Sequence, residues 1–290
     1  MAQTFVEVPG GRIAVQTYGG AGRDVLFIHS VGLCGPHWRP FAEIVADRCR
    51  PVTIDLPGHG HTTVPMNSAE DQWRHLAAVV RGVGLDRPVI VAHDTAVWAA
   101  MAAALDDPDA FSAVVLVGGT ITRILQSLSL LDDPTFRDLM RDRFGLGETG
   151  VGRESAAAFQ RQLSESIQND WLLNEIGARL WDELDHSIVF GPGDTWIHTP
   201  TVDTVIQGYR FDPASPYYPD LGLYGKLTLP TWIVSLEHGS DGNIGLETGP
   251  AEQLPLVQVR RLATGQFPEY TGAAELAEVL DEVLQTLERA

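Results

Sequence analysis

The stretch VIVAHDTAVW, residues 89–98, changes character in its middle. Val89, Ile90, Val91 and Ala92 form a short apolar run of the kind found in a buried strand. From Thr95 onward, TAVWAAMAAALDD is rich in alanine and reads as a strong helix. A strand that runs straight into a helix leaves one side chain at the apex of a sharp turn, and that side chain is Asp94. Side chains two positions away on either side must be small for such a turn to close. Ala92 and Ala96 meet that condition. The helix then aims its N-terminus at the apex, where its dipole and free N–H groups favour a carboxylate or a developing oxyanion.

The surrounding sequence repeats the alternation. FVEVPGGRIAVQTYGG alternates in polarity around Gly10-Gly11, which predicts a hairpin. DVLFIHS, RPVTIDLPGHG and FSAVVLVGG are further strand candidates, and HWRPFAEIVADRC and DQWRHLAAVVRGVGL have helical spacing. Strands separated by such helices predict right-handed βαβ units and a mostly parallel α/β sheet. LPTWIVSLEHG and LVQVRRLATG resume the strand pattern, and GAAELAEVLDEVLQTLE is a final amphipathic helix.

Between residues 120 and 227 the pattern is helical: PTFRDLMRDRFG, ESAAAFQRQLSESI, DWLLNEIGARLWDEL and TVDTVIQGY, with no strand of comparable quality between them. The expected organisation is a core domain of residues 1–119 and 228–290 with a helical cap of residues 120–227. Trp171, Trp181, Trp196, Tyr209, Tyr217 and Tyr218 are candidates to line a pocket beneath the cap. A single aromatic in such a segment more often belongs to the cap's own core.

The bulk properties bound the function. The chain has 290 residues, 44% of them hydrophobic, and a formal net charge of −18. That charge disfavours nucleic acid and anionic lipid as partners. Cys34 and Cys49 do not suggest a disulfide framework, and no signal-peptide pattern or apolar run long enough to span a membrane is seen, so a cytoplasmic location is expected. No dinucleotide or phosphate-loop fingerprint is present, and Asp55, His59 and His61 sit in a loop that does not read as a metal site. No cofactor or metal is implied. The expected partner is a small-molecule substrate, with the chain a monomer or homodimer.

Three stretches taken together resemble the α/β-hydrolase superfamily. FIHSVGLCGPHW is similar to its strand and His-Gly oxyanion loop, with Ser30 where glycine is usual. DLPGHGHT, residues 55–62, is similar to its Asp-x-x-Gly-x-Gly loop, and AHDTA to its nucleophile elbow. Aspartate at the apex resembles the epoxide hydrolase and haloalkane dehalogenase branch, which reads Gly-His-Asp-Trp-Gly. Thr95 in place of that tryptophan argues against a dehalogenase. The resemblance implies an α/β-hydrolase fold, an oxyanion site at the N–H groups of Thr95 and of Ser30–Val31, a structural His29 beside it, and Trp181, Trp196 and Tyr209 as cap contacts to substrate.

The resemblance breaks at the other two catalytic positions. TGQFPEY puts Gln266 where the family carries its histidine, and SLEHGSDGN puts Gly239 where it carries the acid, with Asp241 and Glu237 as displaced candidates. An ester formed on Asp94 needs a base to activate water, and glutamine has no titratable proton. Three readings follow. Asp94 acts as an acid/base in an elimination, cyclisation or isomerisation, with Gln266 orienting the substrate. Alternatively Asp94 is the nucleophile of an epoxide-type hydrolase and a displaced histidine is its base; His238 is the first candidate, then His186 and His198 in the cap, while His93 should point away. In the third reading the chain only binds a ligand. The first is the expected one.

Overall fold

The computed structural model describes residues 1–128, 131, 133–168, 170, 181–239, 249 and 251–289. Its main sheet has eight strands: β1 (Ala2–Val8), β2 (Gly11–Thr17), β3 (Asp24–Ile28), β4 (Arg50–Ile54), β5 (Val89–His93), β6 (Ala113–Val117), β10 (Thr231–Leu236) and β11 (Val257–Leu262). Their order across the sheet is β1-β2-β4-β3-β5-β6-β10-β11. The β1–β2 hairpin and the β2–β4 pair are antiparallel, and every other neighbour pair is parallel. The hairpin turns at Gly10 and Gly11, both at positive φ. The mostly parallel α/β class expected from the alternation is therefore what the chain forms.

The pleat sorts the apolar runs into two cores. Leu26, Ile28, Ile90, Ala92, Val114, Leu116 and Ile233 face the helices Leu76–Val83 and Val97–Asp106. Val25, Phe27, Val89, Val91, Val115, Trp232 and Val234 face Trp38, the helix Arg39–Val45 and the final helix Ala273–Glu288. Burial on both faces is why these strands read as continuous apolar runs. His93, two residues after Val91, falls on the second face, where its ring meets Trp38 and Phe267.

The chain leaves β3 for β4 on one side of it and later returns to β5 on the other. At such a switch point the loops after the two central strands part and leave a crevice at their carboxyl ends. The Ser30 loop and Asp94 lie there.

Two local departures from the expected elements have clear causes. DQWRHLAAVVRGVGL is not one helix. A capping box between Ser68 and Asp71 starts a 3₁₀ turn at Ala69–Gln72, and the α-helix begins only at Leu76. It ends at Gly84, which is left-handed at φ 74°. A Cβ there would meet nothing within 4 Å. Gly84→Ala is thus a test of backbone strain alone, expected to cost about 1 kcal/mol in chemical denaturation.

The segment 120–227 is not wholly helical. It carries the helices Ile121–Ser127, Pro134–Phe144, Arg153–Gln168, Trp181–Ser187, Val202–Gly208 and Leu223–Lys226. It also carries an antiparallel sheet of three short strands, β7 (Thr149–Val151), β8 (Ile188–Phe190) and β9 (Thr195–His198), in the order β7-β9-β8. Among the described residues no helix is long and apolar enough to cross a membrane.

Candidate active site

Asp94 follows β5 directly and opens a 3₁₀ turn that continues into the helix Val97–Asp106. Its φ is +50°, a conformation that non-glycine residues seldom adopt. The neighbouring chain is shaped to hold it. Ala92 and Ala96 are fully buried, and Gly119, after β6, packs so closely that a Cβ on it would lie 2.0 Å from the Asp94 carbonyl oxygen. Gly119 was not singled out in the sequence; a Gly-Gly pair closing a buried strand was its only signal.

A chain of hydrogen bonds joins this turn to the loop after β3. The Val31 N–H donates to the Thr95 hydroxyl (2.9 Å). The Thr95 and Ser30 hydroxyls are 2.9 Å apart, and Ser30 donates to Asp94 Oδ2 at 3.1 Å. This changes two expectations. Ser30 contacts the carboxylate itself, and the Val31 N–H, expected to face an oxyanion, is taken by the side chain that stands where the family branch carries tryptophan. Asp94 Oδ1 is buried and has no hydrogen bond. The Arg123 guanidinium, from the helix Ile121–Ser127, approaches it to 3.7 Å. Tyr209 completes the group. Burial of its hydroxyl, then the Asp94 charge, push its pKa well above the usual range, against the opposing pull of Arg123 and Thr95, so it is a neutral donor.

None of the nine histidines in the chain is hydrogen-bonded to Asp94. His29 donates from Nδ1 to the Ser30 carbonyl and accepts the Leu56 N–H at Nε2. His93 points away, with Nε2 donating to the Gln266 carbonyl at 2.9 Å. His238 is exposed, in the turn after β10, and its imidazole makes no hydrogen bond among the described residues. His186 Nε2 is bound to Asp55 Oδ2 (2.7 Å), and His198 lies between the Gly145 carbonyl and the Ser187 hydroxyl. Asp55 is buried, which favours its neutral form, but His186 and the His61 N–H outweigh that and hold its pKa low. Among the described residues, then, no displaced histidine is hydrogen-bonded to Asp94.

Gln266 is buried and donates from Nε2 to the Gly118 carbonyl at 3.3 Å. A Cβ on Gly239 would lie 3.2 Å from Gln266 Oε1, so the loops after β10 and β11 meet at Gly239 and Gln266. Asp241 lies outside the described residues, and Glu237 is exposed.

The aromatic candidates divide. Tyr209 is at the site. Trp196 is not: its ring stacks on Phe159 and its Nε1 donates to Ser155, inside the packing of the segment 120–227 itself. Trp181 begins a helix, and its side chain, like the whole of Trp171, lies outside the described residues.

Beneath the turn lies a second polar group that the sequence did not reveal. His37 is buried, with Nδ1 donating to Glu183 (3.1 Å) and Nε2 to Glu269. Burial lowers its pKa, but Glu269 and Glu183 override this and raise it to about 10, so His37 is an imidazolium. Glu183 also accepts the Cys34 N–H, which ties the helix Trp181–Ser187 to the core.

Comparison with known proteins agrees with this architecture. Two curated relatives match locally. The dihydrolipoyllysine-residue acetyltransferase component of the acetoin cleaving system of Cupriavidus necator is 29% identical over 118 residues, 40% of this chain and 32% of that one. The pimeloyl-[acyl-carrier protein] methyl ester esterase of Methylococcus capsulatus is 35% identical over 102 residues, 35% of this chain and 39% of that one. The chain thus spans well under half the length of either. Solved structures share the fold over nearly the whole chain. Cfl2 of Burkholderia cenocepacia has a TM-score of 0.71 at 18% identity, covering 97% of this chain and 95% of that one. E-2-(acetamidomethylene)succinate hydrolase has 0.70 at 17%, covering 100% and 99%. The sequence profile of the Alpha/beta hydrolase family matches residues 25–282, from β3 into the final helix and so six of the eight strands of the main sheet, and the chain belongs to that family.

Proposed function

We propose that the chain is an enzyme in which Asp94 takes and returns a proton on an apolar, oxygenated small molecule, without hydrolysing it. The observation that carries this is the state of the Asp94 carboxylate. One oxygen is held by Ser30, the other is buried with no hydrogen bond, and no imidazole is bonded to either. An unpaired buried acceptor is costly unless a ligand supplies the donor. A C–H made acidic by a neighbouring carbonyl, or a hydroxyl, is such a donor.

The chemistry follows from these residues. The bond to hydrogen breaks, the proton passes to Asp94 Oδ1, and the electron pair moves onto the substrate oxygen. Arg123, beside Oδ1, and the neutral Tyr209 hydroxyl are placed to stabilise the negative oxygen that forms. Returning the proton to another carbon gives isomerisation. Expelling a group on the next carbon gives elimination. Neither needs activated water, so Gln266 in the histidine position is no handicap. Gln266 instead braces the loop against Gly118.

A second reading is favoured by one observation. The strained turn and the helix N-terminus present Asp94 as a nucleophile is presented, and several fold neighbours carry the name hydrolase or esterase. The test is a panel of enolisable ketones, lactones and epoxides in D₂O, with solvent ¹⁸O run in parallel. Proton transfer predicts deuterium wash-in with at least one carbonyl compound, no ¹⁸O in the product and an unchanged protein mass. An ester on Asp94 together with ¹⁸O incorporation would establish the nucleophile and remove the proposal.

A further inference from the structure

We infer that His37, His93 and Glu269 form a buried site for a divalent metal ion of the zinc type, in the layer beneath the Asp94 turn. The argument is independent of what Asp94 does. One ligand atom from each of the three residues lies within 4.8 Å of the other two. All three are essentially inaccessible to solvent. Two histidines and a carboxylate are a donor set that zinc accepts.

The outer contacts point the same way. A metal-binding histidine needs its second nitrogen protonated and donating to an acceptor, which turns the lone pair of the first toward the ion. Both histidines are arranged so. His37 donates from Nδ1 to Glu183, and His93 from Nε2 to the Gln266 carbonyl. Each has one nitrogen left, His37 Nε2 and His93 Nδ1. Without a metal, His37 Nε2 is bonded to Glu269, itself another of the three ligands. His93 Nδ1 is buried with no partner, and so is Glu269 Oε2. Two unsatisfied buried atoms on two of three clustered ligands are what an ion would satisfy.

Charge balance adds a third reason. Glu183 and Glu269 are both buried, and the one proton that His37 shares with Glu269 offsets only one of the two carboxylates. A divalent cation cancels them and replaces the proton that His37 Nε2 shares with Glu269. Glu183 comes from the helix Trp181–Ser187, so a bound ion would also fasten that helix to the core. All three ligands are shut off from solvent, so the role is structural.

The experiment uses the full chain without an affinity tag. It is loaded with Zn²⁺, desalted and assayed for metal by mass spectrometry, with Tm followed before and after dipicolinate. The expected result is about one zinc per chain and a Tm roughly 5 °C higher with metal than without. Loading with Co²⁺ should give a visible absorption band. Glu183→Gln removes only the acceptor behind His37 and should weaken zinc roughly 10–100-fold. Glu269→Gln should lose it. If Glu269→Gln does not fold, Glu183→Gln and Co²⁺ on the wild type still decide. Less than about 0.1 zinc per chain with an unchanged Tm would overturn the inference. So would zinc that survives Glu269→Gln but is lost in His61→Ala, since it would then sit at the His61–His186 ring pair.

Discussion

Asp94→Asn is expected to lower turnover by about 10²–10⁴-fold, the usual worth of a positioned acid or base, while Tm stays near wild type. Asparagine matches aspartate in shape and tolerates positive φ better than most residues, so the +50° turn survives. Its amide oxygen still accepts from Ser30. What it lacks is the ability to take up a proton. A loss confined to turnover, with substrate affinity little changed, separates this role from a structural one. The ligand-binding reading predicts a different pattern, in which Asp94→Asn alters affinity modestly and no product forms with either protein. Gln266→His sharpens the comparison. It offers an imidazole at the position where the family keeps its base. If Asp94 forms an ester, that variant should turn over faster. If Asp94 only moves a proton, it should not, and the lost contact to Gly118 should slow it. Full activity in Asp94→Asn would eliminate both catalytic readings.

Much of this site was legible because the family pattern is local. The small residues around Asp94, the Ser30 loop and the Gln266 position each sit within a few residues of a recognisable strand end. The sheet was legible because both its faces are buried, which leaves apolar runs that survive any detail of packing. The residues that give Asp94 its surroundings were not local. Arg123 and Tyr209 arrive from opposite ends of the segment 120–227; Tyr209 was among the aromatic candidates, but no sequence feature marks Arg123. The His37–Glu183–Glu269 group joins three stretches distant in sequence, none of which carries a motif that marks it. The strands β7, β8 and β9 are three or four residues long, too short to show a period of two. Trp196 illustrates the opposite error. A large aromatic in a lid-like segment suggested a pocket, but it packs against that segment's own residues.

The same non-local contacts bear on function through the position of Val31. Its N–H is held by Thr95, so one of the two donors expected to receive an oxyanion is already engaged. In the hydrolytic reading that donor would have to be freed before it could receive an oxyanion. A proton-transfer enzyme has the Arg123 cation and the Tyr209 hydroxyl at hand instead. On the proposed proton-transfer reading, Thr95 and Gln266 fit together: neither serves water attack, and the site manages charge on a bound oxygen.

Acid should destabilise the protein steeply, beginning well above the range where carboxylates titrate. His29 and His59 bind the loop after β3 to the loop after β4 in the same manner. His29 donates to the Ser30 carbonyl and accepts from Leu56 N–H; His59 donates to the Pro57 carbonyl and accepts from Gly32 N–H. Each must be neutral to do both. Burial holds the His29 pKa down at about 3, with His59 adding to the effect, and holds His59 at about 4. In the unfolded chain both titrate near 6.5. Their contribution is complete above that value. As pH falls below it, the unfolded state takes up protons that the folded state refuses, so stability drops by up to about 1.4 kcal/mol per pH unit for each histidine. His198, also lowered by burial, acts in the same sense. His37 does not offset this. Its raised pKa gives a contribution that is complete below 6.5 and is lost only as pH rises toward 10. Asp55 and Glu269, both lowered, add a further loss once pH falls below the usual carboxylate range. With a total stability of about 5–15 kcal/mol, the urea midpoint should fall continuously from pH 6.5 to 4.5. A midpoint that stays flat over that interval would contradict the neutral assignment of both imidazoles. His29→Gln gives the internal control. Its amide can still accept from Leu56, so the variant should be less stable at pH 7.5 yet lose less on acidification, because one of the protons taken up on unfolding is gone.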